Sequence, residues 1–131
     1  MNIIRNYILV DDDPWCNNIC AFNIKKALGH VDIKAFSGAA EALVFINTEF
    51  SKNPQPTILY LDINMPIMNG WDFLEYFEQF GDNIKNNISI YVLSSSVNQS
   101  DIQRAKANNN VKDFISKTLL DDTIRLLSEK E

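Results

Sequence analysis

The sequence has few of the residues from which disulfide frameworks and zinc sites are built, because its 131 residues include only two cysteines and one histidine. Cys16 and Cys20 lie four positions apart in a segment of helical pattern. We expect both to be reduced thiols, with at least one facing the core. With only His30 to complement them, no thiolate or imidazole metal site is expected.

The sequence also lacks an excess of positive charge and any long apolar segment. Its 12 Lys and Arg residues are outnumbered by 17 Asp and Glu residues, for a formal net charge of -5. Broad binding to nucleic acid needs a basic face, so we expect no direct nucleic-acid partner. No apolar stretch approaches the ~20 residues that cross a bilayer, and no basic region precedes an apolar run as in a signal peptide. We therefore expect a cytoplasmic protein with no membrane insertion.

Hydrophobic residues make up 46% of the chain and charged residues 22%, which is ordinary for a globular domain. Short apolar runs alternate along it with longer segments of helical periodicity. Near-continuous apolar strands are typical of a parallel sheet that is covered by helices on both faces. We predict an α/β fold, a doubly wound five-stranded parallel sheet with five helices and right-handed crossovers. The predicted strands are residues 7–10, 32–36, 57–61, 89–93 and 113–117.

The helices are predicted from capping residues and from apolar periodicity. Asp13 suits the N-cap of the first helix and Pro14 its first position, while Gly29 suits the C-terminal end after about Leu28. The apolar residues of the other four helices are expected to face the core. They are Ala39, Leu43, Ile46 and Phe50; Phe73, Phe77 and Phe80; Ile102 and Ala105; and Leu120, Ile124 and Leu127.

Polar side chains stand where four of the predicted strands end. Asp11 and Asp12 follow the first strand, Asp62 ends the third, Ser94 ends the fourth and Lys117 ends the fifth. Ligands of such sheets gather beyond the carboxyl ends of the strands, so we expect these side chains to converge. Three carboxylates close together repel one another and need a counter-charge, which a divalent cation and a lysine supply. Oxygen ligands with open positions favour Mg²⁺.

The same groups suit the transfer of a phosphoryl group. A carboxylate such as Asp62 can attack phosphorus and form an acyl phosphate, so no separate general base is needed. Mg²⁺, Lys117 and the Ser94 hydroxyl would then meet the charge on the three phosphoryl oxygens.

Structural roles remain open for individual residues of this set. The acids that follow the first strand could merely cap the first helix, and Lys117 by itself could be a surface lysine. Ser96 and Gln99 have the spacing of a capping box, so Ser96 is predicted to cap the fourth helix, which leaves Ser94 for the site.

Four segments resemble the response-regulator receiver family, namely residues 8–13 (ILVDDD), 61–71 (LDINMPIMNGW), 92–95 (VLSS) and 114–117 (FISK). The Asp–x–x–Met–Pro–x–Met–x–Gly pattern is highly specific when combined with the acid pair. The resemblance covers nearly the whole chain. It implies a flavodoxin-like fold with strand order 2-1-3-4-5, and a single receiver domain over residues 1–131 with no output domain. It implies signalling rather than an enzyme, with at most self-phosphorylation from small donors and self-dephosphorylation.

The resemblance also implies a role for each site residue. Asp62 would be the phosphoacceptor, with a phosphohistidine of a sensor histidine kinase or a histidine phosphotransfer protein as donor. Mg²⁺ would be bound by Asp11 and Asp12, of which Asp12 is the more direct ligand, and by Asp62 and the backbone carbonyl of Asn64. The output would be a switched surface for an unknown downstream protein, or onward phosphoryl relay. The other roles are Ser94 as the Ser/Thr switch position, Lys117 as the family's lysine, and Phe114 as the aromatic residue whose rotamer accompanies switching.

The sequence departs from the family pattern at two places. Thr118 follows the lysine where the family usually has proline, often after a cis peptide bond. A cis bond before a residue other than proline costs roughly 3 kcal/mol, so a trans junction at Lys117–Thr118 remains open. Residues 108–110, three asparagines, stand where the family often has a glycine turn, and asparagine tolerates the left-handed conformation.

Two other functions remain open. The first is a receiver-like binding module that is never phosphorylated, which the departure at Thr118 favours. The second is an aspartyl phosphatase like the haloacid dehalogenases, which normally carry a second acid at the position held here by Asn64.

Overall fold

The five predicted strands are present and form one parallel sheet in the order β2-β1-β3-β4-β5, so the predicted order is confirmed. The computed structural model describes residues 3–95, 98–117, 119 and 121–130. Side chains of the three central strands are almost wholly buried, as their near-continuous apolar runs predict. The strands are β1 (Asn6–Val10), β2 (Asp32–Phe36), β3 (Thr57–Leu61), β4 (Ile88–Ser94) and β5 (Val111–Ser116).

The sheet has helices on both faces. The described residues form six α-helices, one more than the sequence predicts, and a short 3-10 helix at Phe50–Lys52. The additional helix, Asp82–Lys85, has only four residues, too few to show helical periodicity, and it is anchored by the buried side chain of Ile84. The α-helices are α1 (Pro14–Leu28), α2 (Ala39–Thr48), α3 (Gly70–Phe77), α4 (Asp82–Lys85), α5 (Gln99–Ala107) and α6 (Asp121–Lys130).

Alternate side chains of the strands enter two separate apolar cores. In β1, Ile8 and Val10 pack on the face covered by α2 and α3, whereas Tyr7 and Leu9 pack on the face covered by α1 and α6. This alternation follows from the period of two in a strand. Of the residues predicted for the last helix, Ile124 and Leu127 are buried, and Leu120 lies outside the described residues.

Helix α1 begins and ends as predicted. Asp13 is its N-cap and accepts a hydrogen bond from the backbone N–H of Trp15 at 2.9 Å, with Pro14 at the first helical position. The helix ends after Leu28, and Gly29 adopts a φ of 82° while its N–H donates to the carbonyl of Lys25. The left-handed φ explains why glycine stands here.

Helix α5 differs from the prediction at its start and is weakly anchored. Its N-cap is Asn98, whose side chain accepts from the N–H groups of two first-turn residues, while the predicted cap Ser96 lies outside the described residues. Ala105 is the only fully buried residue of α5 (Gln99–Ala107). The guanidinium of Arg104 also stacks over the ring of Trp71, 4.5 Å from its centroid, and this cation–π contact joins α5 to α3.

Two smaller features also differ from the sequence pattern. Phe80 lies beyond the end of α3, although its ring packs edge-on against Phe77 at 5.8 Å between centroids. The asparagine turn at 108–110 is closed by the Asn108 side chain, which accepts from the N–H of Asn110 at 2.9 Å. Among the described residues only Ile67 and Gly29 have positive φ, so this turn uses no left-handed asparagine.

Within the described ranges no helix combines the length and apolar character of a bilayer span.

Candidate functional site

The register of the sheet places the predicted acids side by side. Val10 and Leu61, the last residues of β1 and β3, are paired, and the N–H of Asp62 donates to the carbonyl of Val10 at 2.9 Å. Asp11 and Asp62 therefore leave adjacent strands at the same level. The backbone of Lys117 reaches this edge because its N–H donates to the carbonyl of Ser94 at 2.9 Å.

Asp11, Asp12 and Asp62 form a cluster in which one ligand oxygen from each lies within 4.8 Å of the others. Asp11 and Asp62 are only 6% and 7% exposed, whereas Asp12 faces solvent. We call these three residues the acid cluster. Its donors are all carboxylate oxygens, two of them held by the sheet and one open to solvent, which fits a hard cation that keeps several waters, such as Mg²⁺.

Lys117 supplies the one positive charge seen at the acid cluster among the described residues. Its Nζ donates to Asp11 Oδ2 at 2.6 Å and lies 4.0 Å from Asp62 Oδ1. Three carboxylates with one ammonium leave an uncompensated negative charge. Burial by itself lowers the pKa of Lys117, but the hydrogen bond to Asp11 and the charges of Asp62 and Asp11 outweigh it and raise that pKa. The lysine is therefore charged.

The surroundings of Asp62 disfavour its ionised form. Burial raises its pKa to about 6, and the negative charge of Asp11 adds to the rise. Lys117 and a hydrogen bond from the N–H of Asn64, at 3.2 Å to Oδ1, lower the pKa but do not cancel the effect. A cation at the acid cluster would favour the ionised form of Asp62.

The loop after β3 explains why glycine stands at position 70. A Cβ at Gly70 would lie 2.7 Å from the Cα of Ile63 and 2.9 Å from the carbonyl oxygen of Asp62, so only glycine allows this approach. Asn69 and Asp72 form a capping box at the start of α3, which fixes the far end of the loop.

Within this loop Ile67 has a φ of 68°, a strained conformation for a β-branched residue. The N–H of Met68 donates to the carbonyl of Pro66 at 2.7 Å, so Ile67 is the central residue of a three-residue γ-turn. Its side chain is fully exposed.

The response regulator receiver domain model matches residues 7–128. This chain belongs to that family. Receiver domains are signalling phosphoacceptor domains of two-component response regulators and are generally not enzymes, so the coarser part of the predicted function is confirmed. As a class they typically bind Mg²⁺ at an acidic cluster and interact with histidine kinases or phosphotransfer proteins.

Solved structures support the fold of this receiver domain. It is 28% identical to a two-component response regulator from Cytophaga hutchinsonii, with a TM-score of 0.89 and coverage of 99% of this chain and 97% of that one. A response regulator receiver protein from Dyadobacter fermentans is 24% identical, with a TM-score of 0.87 and 95% of each chain covered. The Vibrio cholerae chemotaxis protein CheY4 is 20% identical, with a TM-score of 0.74 and coverage of 97% and 98%. No curated protein matches the sequence.

The receiver domain places its two predicted switch residues outside the acid cluster. Ser94 is the last residue of β4, as predicted, and is 1% exposed. Phe114 lies in β5, opposite Val92, and its half-buried ring packs against the core on the α2 and α3 side. The structure thus brings together Asp11, Asp12, Asp62 and Lys117, with Asn64 exposed in the adjoining loop. Thr118 lies outside the described residues.

Asn17 is a supporting residue that the sequence did not indicate. Its buried side-chain amide donates to the carbonyl of Asp11 at 3.0 Å and to that of Phe36 at 3.3 Å. It therefore ties the start of α1 to the ends of β1 and β2 beneath the acid cluster. The only signal in the sequence was a polar residue on the inner side of an amphipathic helix, which also fits an ordinary core hydrogen bond.

Proposed function

We propose that this receiver domain accepts a phosphoryl group on Asp62 from a phosphohistidine donor. The observation that carries this proposal is the buried Asp62 carboxylate, which shares the acid cluster with Asp11 and Asp12 and lies 4.0 Å from the ammonium of Lys117. A carboxylate at this position can act as a nucleophile without a separate base, and fixed charges stand around it.

Asp11, Asp12, Asp62 and the backbone carbonyl of Asn64 would hold the cation in this proposal. Bound there, Mg²⁺ would neutralise charge on the incoming phosphoryl oxygens and lower the repulsion within the acid cluster. Asp11 already has Lys117 as a partner, whereas Asp12 is exposed, which supports Asp12 as the more direct ligand.

The proposed transfer forms one bond and breaks another. An Asp62 carboxylate oxygen forms a P–O bond as the P–N bond to the donor's imidazole breaks, and the imidazole keeps the electron pair of that bond. Lys117 would then move its hydrogen bond from Asp11 towards a phosphoryl oxygen, since the added charge of about -1.5 to -2 competes for the ammonium.

The switch proposal follows from the link between Lys117 and β4. Because the N–H of Lys117 is bonded to the carbonyl of Ser94, movement of either residue is passed to the other. The Ser94 hydroxyl would approach a phosphoryl oxygen, and Phe114, two strands from Asp62 in the sheet, would change its packing. The result would be a changed surface for a downstream protein, or a phosphoryl group that is relayed onward.

The direct test is incubation with acetyl phosphate and Mg²⁺, followed by intact-mass measurement. We expect one phosphoryl group on the wild type, none on Asp62→Asn, and normal labelling of Asp32→Asn, an exposed aspartate remote from the site. An unlabelled wild type that also fails to bind Mg²⁺ or a phosphoryl mimic would instead support the binding module. Sustained hydrolysis of phosphate esters would support the phosphatase.

A further inference from the structure

Strand β2 forms one edge of the sheet, and half of its backbone hydrogen-bonding groups point away from the sheet. The N–H of Asp32 donates at 2.8 Å to the carbonyl of Arg5, which precedes β1, so Asp32 and every second residue after it face β1. Backbone groups alternate in direction along a strand, so those of Ile33 and Ala35 face outward. These outward groups have no hydrogen-bond partner in the part of the chain that the structure describes.

The opposite edge of the sheet, β5, is protected in a way that β2 is not. The N–H of Lys117 donates to β4, so the N–H of Phe114, three residues earlier, points outward. The side chain of Asp113 accepts from that N–H at 2.8 Å. A side chain bonded to the edge backbone competes with an incoming strand, which is one way to prevent edge-to-edge pairing. Within the described residues, no side chain covers the outward groups of β2 in this way.

The charges on β2 are arranged so that they permit pairing with a second copy of the same strand. Asp32 and Lys34 lie on one face of the strand, 3.6 Å apart, and their side chains are 62% and 52% exposed. Charged residues on an edge strand usually block pairing with another strand. Here the two charges are opposite, so an antiparallel second copy can place its Lys34 against Asp32 and its Asp32 against Lys34. Opposite charges that face each other across two strands stabilise the pair.

Only one nearby register gives this arrangement, namely the one in which Ile33 lies opposite Ile33 of the second copy. Both copies of Ile33 then exchange their outward N–H and C=O groups, and Ala35 does the same with Val31. A shift of two residues, the smallest that keeps the outward groups opposed, sets Asp32 against Asp32 or Lys34 against Lys34. Like charges directly opposite each other are destabilising, so the strand is complementary to itself in a single register.

We propose that β2 is a self-association site, at which two copies of this chain pair their β2 strands antiparallel about Ile33. The occupant is a second copy because the strand complements itself in both charge and hydrogen bonding. Pairing would join two five-stranded sheets into one continuous sheet. Each strand contributes only five residues, and interfaces below about 1,200 Å² are weak, so we expect a dissociation constant of about 0.1–1 mM.

This proposal is independent of the phosphorylation of Asp62, because the paired strands include no residue of the acid cluster. At micromolar concentrations the chain should be monomeric, so Asp32→Asn remains a valid control for labelling and for unfolding in dilute solution.

The test is sedimentation equilibrium of the full chain between about 20 µM and 1 mM, a range that spans the expected dissociation constant. The wild type should follow a monomer–dimer equilibrium. Asp32→Lys and Lys34→Asp each set like charges opposite one another and should weaken association at least about tenfold. The double variant Asp32→Lys/Lys34→Asp recreates the opposite pairs and should return association to within about threefold of the wild type. Lys112→Asp, the matched control on the β5 edge, should not change it.

A further variant tests the backbone pairing without any change of charge. Ala35→Pro removes an outward N–H, and proline is tolerated on an edge strand where its missing N–H would face solvent. By symmetry two hydrogen bonds of the dimer are lost, so association should weaken about tenfold. Hydrogen exchange measured by NMR locates the contact. In the wild type the amides of Ile33 and Ala35 should exchange more slowly as the concentration rises, whereas the amide of Phe114 should not.

A chain that stays monomeric at about 1 mM would overturn the proposal. So would undiminished association of the single charge variants or of Ala35→Pro, or a double variant that associates no better than the single ones. Concentration-dependent protection at Phe114 in place of Ile33 would show that the copies meet at a different surface.

Discussion

In metal-free buffer at pH 7, we expect Asp62→Asn to raise the free energy of unfolding of this receiver domain. The pKa of Asp62 is raised from its ordinary 3.8 to about 6, chiefly by burial and then by the charge of Asp11. The folded state therefore holds this carboxylate less readily in its charged form than the unfolded chain does. Asparagine keeps the shape and an oxygen for the Asn64 N–H, but it carries no charge.

The direction and the size of this change in the free energy of unfolding follow from the linkage between protonation and folding. Because the folded pKa lies above the unfolded one, the contribution of Asp62 to stability is fully present below about pH 4 and is lost as the pH rises through 6. The shift corresponds to at most about 3 kcal/mol at pH 7. Since the site borders solvent, which screens its charges, we expect a gain of about 1–2 kcal/mol for Asp62→Asn.

Urea unfolding at pH 7 and pH 4.5, with and without Mg²⁺, measures this effect. The gain in Asp62→Asn should shrink at the lower pH, where the wild-type carboxylate is largely protonated in the folded state. Mg²⁺ should stabilise the wild type more than the variant, because it binds only the charged cluster strongly. Asp32→Asn, whose exposed carboxylate lies 3.6 Å from Lys34, should change little. A variant less stable than the wild type at pH 7 would refute the reasoning.

Four further substitutions have clear expected results in the same unfolding assay. The Tyr60 hydroxyl has no hydrogen-bond partner among the described residues, so Tyr60→Phe should leave the free energy of unfolding unchanged or slightly higher. Tyr7→Phe should lower it by about 1 kcal/mol, because the Tyr7 hydroxyl donates to the carbonyl of Ile4. A larger loss of stability in Tyr60→Phe than in Tyr7→Phe would contradict this difference in pairing. Gly70→Ala should lower the free energy of unfolding by about 2 kcal/mol and reduce labelling by acetyl phosphate, because the added methyl group meets the backbone of Ile63. A variant as stable as the wild type would exclude that contact. Ile67→Gly should raise the free energy of unfolding by about 1 kcal/mol, because glycine adopts the positive φ without strain and the exposed isoleucine side chain has no packing to lose. A loss of stability would show that the side chain contributes packing.

The parts of this fold that could be predicted from sequence are those with a strong local signal. Apolar runs that stop at an acid located β1 and β3, and Asp13 followed by Pro14 located the start of α1. The parallel arrangement then required Asp11 and Asp62 to meet, because the carboxyl ends of adjacent parallel strands lie together. These predictions needed only the period of the strands and one cap.

The parts that could not be predicted depend on tertiary contacts. Helix α4 is held by a single buried residue, and no periodic pattern reveals so short a helix. Asn98 caps α5, although Ser96 has the capping-box spacing with Gln99, so the sequence offered more than one cap for this helix. Lys117 lies closer to Asp11, at 2.6 Å, than to Asp62, at 4.0 Å, and the Tyr60 hydroxyl has no hydrogen-bond partner within the described part of the chain. Both features follow from side-chain placement, which no spacing in the sequence encodes.

The weak anchoring of α5 has a consequence for how a signal could leave the sheet edge. Ala105 is the only fully buried residue of this nine-residue helix, so separating α5 from the sheet exposes less apolar surface than separating a helix with several buried residues would. Its amide protons should exchange with deuterated solvent well before those of β3 and β4. A displacement at Ser94, only a few residues upstream, therefore lies close to a helix that has a single fully buried residue.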